Sequence, residues 1–314
     1  VRSRRQRQMC IRDSIGADRY KWVLNHAVTL SLVDPSQYNG HGVRWVAFVI
    51  SALSACVIIA AAWTLLRSQA RADVISETDE GIIRTMIARF NKDDSLAYFA
   101  TRRDKSVVYS PDGRAAVTYA VFSGVSLASG DPIGDPESWD AAVQEWLSRS
   151  RRYGWTPACM GASERGARIL KKNGMSVLRL GDEAVLHSDR FRLSDPELRG
   201  VRQSVNHVRR EGMTFRVRRH SELTAEEMQQ VEERADRWRD TADERGFSMA
   251  LSRLGDPRDG DCLLVEALID GDVVAELSFV PWGPSGVSLD LMRRSPSSPN
   301  GTIEATVSYT HLTL

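Results

Sequence analysis

Cys262–Arg294 reads CLLVEALIDGDVVAELSFVPWGPSGVSLDLMRR and has the clearest structural pattern in the chain. It contains three apolar runs rich in β-branched residues, which are Leu263–Ile269, Val273–Val280 and Val287–Met292. The turn-forming sequences Asp270-Gly271 and Pro281–Pro284 separate the runs. Short apolar runs divided by such turns are typical of antiparallel strands. The pattern therefore predicts a three-stranded antiparallel meander.

The last of these runs carries charged residues among apolar ones. Strand alternation predicts two faces, one with Ser288, Asp290 and Met292 and the other with Leu289, Leu291 and Arg293. A carboxylate inside an apolar strand is costly to bury unless a cation or a ligand meets it. Asp290 and Arg293 are therefore the first candidates for a functional site.

Composition is that of an ordinary globular protein larger than one typical domain, with 314 residues, 42% hydrophobic and 26% charged. A net charge of +1 provides no global field for nucleic acid, so such contact requires a local basic patch. The four cysteines, at 10, 56, 159 and 262, lack metal-ligand spacing. This argues against a zinc site and a disulfide framework, and favours a reducing compartment.

The two ends do not continue the patterns beside them. Val1–Ser14 and Val307–Leu314 resemble translated adapter sequence, so we predict artefactual tails there. The alternative for Arg2–Arg7 is a genuine basic tail on a membrane protein.

Residues 45–66 contain no charge and are long enough, at ~1.5 Å per residue, to cross a ~30 Å hydrocarbon core. Trp45 and Trp63 lie near the ends, as in an aromatic belt. We predict a transmembrane helix within a membrane region at 15–69; a buried soluble helix is the alternative. Whether Trp22–Val33 ends an earlier span, and how the helix is oriented, stay open.

Downstream, the periodicity predicts an amphipathic helix and then a first α+β unit at 70–190. Its predicted helices are Ala70–Asn91, Glu137–Tyr153 and Ser163–Lys172. Its predicted strands are Tyr98–Phe99, Ser106–Tyr109, Ala115–Leu127, Trp155–Met160, Met175–Leu180 and Glu183–Leu186. The breaker-rich Gly130–Pro136 is predicted to be an ordered loop, either shaping a ligand entrance or forming a structural turn.

A second unit of similar design is predicted at 191–306. Ser194–Glu197 has the form of a capping box that opens a helix to Arg210. A strand at Thr214–Val217, a helix at Thr224–Arg245 and the meander follow. The fold class is therefore α+β, with two packed units behind a membrane helix.

Four motifs follow the membrane segment in order: Gly130–Asp135, Gly181–Glu183, Ser288–Arg293 and Asn300–Glu304. In this order they resemble the C-terminal domain of phosphatidylglycerol lysyltransferases, over Ala70–Thr306. The resemblance implies two tandem acetyltransferase-like (GNAT-like) units on the cytoplasmic side of a bacterial inner membrane. It also implies transfer of an aminoacyl group, often lysyl, from aminoacyl-tRNA to a phosphatidylglycerol hydroxyl. Such a product changes lipid charge and resistance to cationic antimicrobial peptides.

Relatives of this fold that use acetyl-CoA hold its pyrophosphate on backbone N–H groups of a glycine-rich loop after the meander. Here that stretch is Arg294–Gly301, where two prolines have no N–H to donate and the glycine spacing is missing. CoA is therefore disfavoured, which suits a donor carried on tRNA. We predict no cofactor and no metal.

The family's Asp-x-x-Arg pair lies in the substrate tunnel, and Asp290 and Arg293 match it. Because an aminoacyl ester is already activated, orientation, exclusion of water and oxyanion stabilisation suffice. Asp290 would bind the donor ammonium or help deprotonate the hydroxyl, and Arg293 would hold lipid phosphate or stabilise the oxyanion. The alternative is a structural salt bridge at a strand end. The predicted substrate-binding residues are Ser288, Arg294, Asn300 and Glu304.

Nine cationic or imidazole side chains, opposed only by Glu211, lie in one stretch: Arg199, Arg202, His207, Arg209, Arg210, Arg216, Arg218, Arg219 and His220. A tRNA backbone or an anionic headgroup surface would use it, with Arg202, Arg209 and Arg210 as contacts. The alternative is a solvated helix face that pairs with the acidic Glu226–Glu233.

Two other functions stay open. One is Fem-like aminoacyl transfer to a peptidoglycan precursor, and the other is a membrane-tethered GNAT-like binding domain without catalysis. The sequence leaves the amino acid, the number of membrane spans and homo-oligomer formation undecided. The implied partners are aminoacyl-tRNA, phosphatidylglycerol and the membrane.

Overall fold

The structure is a computed structural model that describes residue 49 and residues 52–62, 74–239 and 246–313. The chain divides into two compact units, Val1–Gln69 and Ala70–Leu314. In the first unit the described residues are helical. Much of the predicted span at 45–66, the tail at 1–14 and Trp22–Val33 lie outside the described residues. Within the described ranges, no helix has both the length and the apolar character needed to cross a membrane.

The second unit contains two separate sheets, and the first sheet follows the order β1-β2-β3-β5, with β4 beside β2. Its strands are β1 (Ser106–Tyr109), β2 (Ala115–Phe122), β3 (Val125–Ser129), β4 (Ile133–Gly134) and β5 (Thr156–Met160). The predicted strand at 115–127 is instead a hairpin, because Ser123 and Gly124 both adopt positive φ. Two such residues form the tight turn that joins antiparallel strands.

Helices cover both faces of this sheet. They are α1 (Glu77–Phe90), α2 (Trp139–Arg152) and α3 (Glu164–Lys172). α1 begins at a capping box made by Ser76 and Asp79, and its Ile83 and Met86 pack against Ala116 and Ile133. On the other face, α2 inserts Trp139, Val143 and Trp146 into the larger core cluster, and the helical spacing of these three residues puts them on one side of the helix.

Three predicted strands of the first unit are wrong in the structure. Tyr98 and Phe99 lie in a 3₁₀ helix, Ala97–Thr101. Residues 175–187 form no regular structure, although the sequence predicts strands at 175–180 and 183–186. Leu178 and Leu180 are 80% and 78% exposed, so their apolar character does not report burial in a sheet.

The second sheet has the order β6-β7-β8-β9, and its meander confirms the prediction. Its strands are β6 (Thr214–Arg219), β7 (Leu263–Ile269), β8 (Asp272–Trp282) and β9 (Gly286–Arg294). Its helices are α4 (Arg199–Arg210), α5 (Ala225–Arg237) and α6 (Thr302–Thr313). α4 begins after a 3₁₀ turn at Pro196–Leu198, because the predicted box at 194–197 makes no side-chain cap there. α5 ends at Arg237, and residues 240–245 lie outside the described part.

The two faces of the second sheet pack against different layers. α4 and α6 cover one face, where Val205, Val208 and Ala305 contact Ala267 and Ala275. α5 and the 3₁₀ helix Ala97–Thr101 cover the other face, at opposite ends of the strands. α6 continues through residue 313, beyond the predicted boundary at 306.

Buried ion pairs join the first sheet's elements to the loop before β7. Asp259 is buried and accepts hydrogen bonds from Arg84 at 2.6 Å, Tyr98 at 2.8 Å and Arg253 at 2.7 Å. Burial raises the pKa of Asp259, but Arg253 and Arg84 outweigh it and hold that pKa below its usual value. These contacts make the two sheets parts of one compact unit. The tandem arrangement of two units stays a prediction.

Candidate active site

β9 contains a β-bulge at Asp290. Ser278 of β8 pairs with Leu291, whereas the next residue, Phe279, pairs with Leu289. Asp290 is therefore the extra residue, which the register between β8 and β9 skips. Bulges of this kind re-aim side chains and are frequent beside active sites.

The bulge makes the predicted alternation of β9 wrong. Residues directly opposite one another share a sheet face. Ser288, Leu291 and Arg293 lie opposite Val280, Ser278 and Glu276, on the face covered by α5. Leu289, Met292 and Arg294 lie on the other face. Sequence alternation wrongly separates Ser288 from Arg293, because it does not include the extra residue.

Asp290 is half-buried and lies on the face of the second sheet that α5 covers. Its Oδ1 accepts the backbone N–H of Leu251 at 2.7 Å. Leu251 packs with Phe99 and Val280, which places this contact on the α5-covered side. Arg293, also half-buried, lies three residues along the strand and donates from Nη1 to the Met292 carbonyl at 3.0 Å. Both predicted catalytic residues therefore border the same interior layer.

That layer contains a buried network of carboxylates and arginines. Glu266 is 1% exposed and accepts from Arg216 at 2.8 Å, Arg218 at 2.9 Å and Arg234 at 3.0 Å. Arg234, from α5, also donates to Glu276 at 3.0 Å. We call the following residues the polar layer: Arg216, Arg218, Arg234, Glu266, Glu276, Ser278, Ser288 and Arg293.

Glu276 is fully buried, and only one of its two oxygens is used. Oε2 accepts from Arg234, whereas Oε1 has no hydrogen-bond partner among the described residues. Burial raises the pKa of Glu276 to about 7, against the opposing effect of Arg234 and Arg293. The Ser288 hydroxyl, on the same face, is also buried without a hydrogen-bond partner in the described part of the chain. Unsatisfied buried polar atoms are rare in native proteins and call for an explanation.

A cavity of about 540 Å³ opens on the opposite face of the sheet. It is lined by Arg294, the residues 300–304 and, from α4, Gln203, Ser204 and His207. Three predicted substrate-binding residues, Arg294, Asn300 and Glu304, therefore come together there. Ser288 does not join them, because it faces the polar layer. The structure thus divides the predicted site between the two faces of the sheet.

The predicted basic patch is also divided. Arg209 and Arg210 are exposed on α4, whereas Arg202 donates to the backbone carbonyl of Leu193 at 2.8 Å. Arg216 and Arg218 belong to the polar layer, and Arg218 pairs with Glu227 of α5 at 2.5 Å. The alternative of pairing with the acidic helix therefore holds for Arg218.

Sequence reasoning missed the two buried glutamates. Glu266 and Glu276 lie inside the apolar runs LLVEALI and VVAELSF, so the criterion that selected Asp290 also applies to them. The register places them directly opposite each other on β7 and β8. Arg234, in contrast, could not be identified from the sequence, because an arginine is common on a helix of this composition.

The fold is shared with solved structures. The chain shares its mixed α+β fold with L-PGS from Bacillus licheniformis, with a TM-score of 0.66 and 23% identity over 77% of this chain and 73% of that one. A putative lysylphosphatidylglycerol synthetase C-terminal domain from Agrobacterium fabrum gives a TM-score of 0.65 and 22% identity, over 74% of each chain.

Residues 84–314 match the family model described as phosphatidylglycerol lysyltransferase, C-terminal. The chain belongs to this family of transferases. Residues 14–66 match a second model, described as the transmembrane region of lysyl-tRNA synthetase. The family resemblance found in the sequence is confirmed.

Curated relatives are the lysylphosphatidylglycerol biosynthesis bifunctional proteins LysX of Mycolicibacterium vanbaalenii and Mycobacterium avium. Each is 54% identical over 292 residues, which is 93% of this chain. The chain spans only about a quarter of their length, 26% and 25% respectively.

Proposed function

We propose that the chain transfers a lysyl group from lysyl-tRNA to a phosphatidylglycerol hydroxyl. The observation that carries this is the family match over residues 84–314. The position of Asp290 and Arg293 on the same, α5-covered side of the sheet supports it. In this proposal the reaction occurs at the inner face of a bacterial inner membrane. The product adds positive charge to the lipid surface and raises resistance to cationic antimicrobial peptides.

The proposed transfer requires only a few catalytic contributions from the protein. An aminoacyl ester is activated, so the attacking lipid hydroxyl must be oriented and the oxyanion stabilised. Arg293 supplies a cation for the oxyanion or the lipid phosphate, and Asp290 supplies a carboxylate for the hydroxyl proton or the donor ammonium. The cavity with Arg294, Asn300 and Glu304 would take a second part of the substrates, such as a headgroup phosphate.

The organisation of the chain is part of the proposal. Residues 70–190 and 191–306 would be two GNAT-like units in tandem, and the segment at 45–66 would anchor them to the membrane. The match of residues 14–66 to a transmembrane-region model supports this anchoring. Arg209 and Arg210 would contact tRNA or anionic headgroups, and that contact would weaken as salt rises.

Incubating the full chain, in membranes, with phosphatidylglycerol and tRNA charged with labelled lysine tests this function. Labelled lysyl-phosphatidylglycerol in the lipid extract supports it, provided that ribonuclease treatment abolishes the signal. Label in peptidoglycan precursors instead would establish the Fem-like alternative. Label in neither product would contradict the proposal and favour a binding domain.

A further inference from the structure

We infer that the free oxygen of Glu276 accepts the side-chain ammonium of the donor amino acid and so selects lysine. The inference rests on the proposed function, because it places the donor at Asp290 and Arg293. It assigns a hydrogen-bond acceptor to the side-chain ammonium of the donor, for which Asp290 and Arg293 do not account. Four features of Glu276 carry it, namely its depth, its unused oxygen, its neighbours and its distance from the edge strand.

Glu276 lies one strand in from the edge of the sheet. β9 is an edge strand, and Arg293 lies directly opposite Glu276 on the same face. Neighbouring strands are about 4.8 Å apart. A donor whose reacting ester sits beside Asp290 and Arg293 must extend by about that distance to reach Oε1. The four-carbon stem of a lysyl side chain spans it, whereas the α-amino group stays near the ester.

The hydrogen bonds of the layer identify Glu276, not Glu266, as the acceptor. Both oxygens of Glu266 are occupied by arginines, Oε2 by Arg216 and Arg218 and Oε1 by Arg234. On Glu276, Arg234 occupies Oε2 and leaves Oε1 buried without a partner among the described residues. A primary ammonium provides three donors, so one bond to Oε1 uses only part of its hydrogen-bonding capacity.

The charges around Glu276 balance only when Glu276 is ionised. Arg234 contacts Glu276 and Arg293 lies opposite it, while Arg216 and Arg218 pair with the adjacent Glu266. The carboxylates of this region are Glu227, Glu266, Glu276 and Asp290. With Glu276 ionised, four cations meet four anions. Because burial raises the pKa of Glu276, an ammonium that binds beside it would favour its ionised form and restore a full ion pair.

Binding of amino-acid amides to the purified full chain tests the inference without requiring turnover. L-lysinamide carries the side-chain ammonium, norleucinamide lacks it, and ornithinamide holds it on a stem one methylene shorter. We expect lysinamide to bind the wild-type chain roughly tenfold to hundredfold more tightly than norleucinamide, as for a hydrogen bond to a charged group. Ornithinamide should fall between them. If the wild-type chain bound all three amides with equal affinity, the inference would be overturned, whatever the variants show.

Glu276→Gln retains the acceptor for Arg234 and removes the charge, so the preference for lysinamide over norleucinamide should disappear. Glu266→Gln is the matched control, since it removes a charge from the same layer at a residue whose oxygens are both used. Glu266→Gln should lower the melting temperature more than Glu276→Gln does, and it should still bind lysinamide more tightly than norleucinamide. A preference that survives in Glu276→Gln, or that is lost equally in both variants, would overturn the inference.

The two proposals fail in distinguishable ways. A wild-type chain that prefers lysinamide but forms no lysyl lipid would contradict the transfer function and keep the assignment of Glu276. Transfer that falls equally for lysyl and alanyl donors in Glu276→Gln, with the amide preference intact, would make Glu276 a positioning residue for Arg293 and overturn its role in selection.

Discussion

The two faces of the second sheet share four strands but differ in chemistry. Towards α4 and α6, the strands present Ala267, Ala275 and Leu277, which form an apolar core with those helices. Towards α5, the same strands present Glu266 and Glu276, both almost completely buried. Buried ion networks contribute little net stability compared with apolar packing of similar volume. We therefore expect the apolar core of the first face to determine stability, and we propose that the reacting groups lie on the second face, with the cavity beside Arg294 as a separate binding region on the first.

The largest expected effect is on the polar face. Arg293→Ala removes the cation that the proposed reaction needs at the edge strand, so transfer should fall roughly 10²–10³-fold, as when one oxyanion donor is lost. Met292→Ala is its control, because Met292 is adjacent, 45% exposed and on the opposite face. Rates of lysyl-phosphatidylglycerol formation measure both, and similar rates for the two variants would remove the functional distinction between the faces.

The apolar face should respond through stability. Leu277 is 0% exposed and packs with Leu263, Val265 and Phe279. Leu277→Ala should lower the free energy of unfolding by about 2–5 kcal/mol, the range for large-to-small substitutions in a core. Denaturant titration measures the loss. Transfer per folded molecule should stay near that of the wild type, and a selective loss of transfer would contradict the comparison.

Glu276 should make stability depend on pH. Its pKa is about 7 in the folded chain against 4.5 as the ordinary value, so the folded state keeps a proton that the unfolded state releases. Stability from this group is complete below pH 4.5 and is lost as pH rises through 7, by on the order of 3 kcal/mol. The difference in unfolding free energy between wild type and Glu276→Gln, measured from pH 4.5 to 8, should change accordingly. A constant difference would contradict the pKa assignment.

The smallest expected effect concerns the helix that covers the polar face. Thr224 caps α5 through the Glu227 backbone N–H at 3.2 Å, and Glu227 accepts the Thr224 backbone N–H at 2.9 Å. Thr224→Ala should cost about 1 kcal/mol. Ser76→Ala removes the equivalent cap of α1, beside the first sheet, and should cost a similar amount. Melting curves measure both, and a much larger loss for Thr224→Ala would indicate that the polar layer depends on α5 more than the contacts suggest.

Much of this fold is readable from the sequence, because turns and apolar runs are local signals. Asp270-Gly271 and the runs around it predict β7 and β8 closely, and the predicted helix Glu137–Tyr153 agrees with α2 to within a few residues. The prediction of strands at 175–180 and 183–186 is wrong, because an apolar run forms a strand only where a neighbouring strand is available to pair with it. The hairpin at Ser123-Gly124 is missed for a different reason: this dipeptide is a turn signal, but the prediction treats the apolar residues on both sides of it as one strand.

The candidate site is less predictable than the fold. Asp290 is identified because a carboxylate in an apolar strand is conspicuous, but its bulge is invisible in the sequence. The extra residue changes which side chains face Glu276, and only the pairing of β8 with β9 reveals it. The cavity at Arg294 and Asn300 likewise depends on how α4 meets the start of α6, a contact between distant segments.

Asp290→Asn tests the central claim most directly. The amide oxygen still accepts the Leu251 N–H, so the fold should be retained while the negative charge is lost. With lysyl-tRNA and phosphatidylglycerol, the account predicts a folded variant with the wild-type melting temperature and a rate of lysyl-lipid formation reduced roughly a hundredfold. A folded Asp290→Asn chain that forms lysyl-phosphatidylglycerol at the wild-type rate would contradict it.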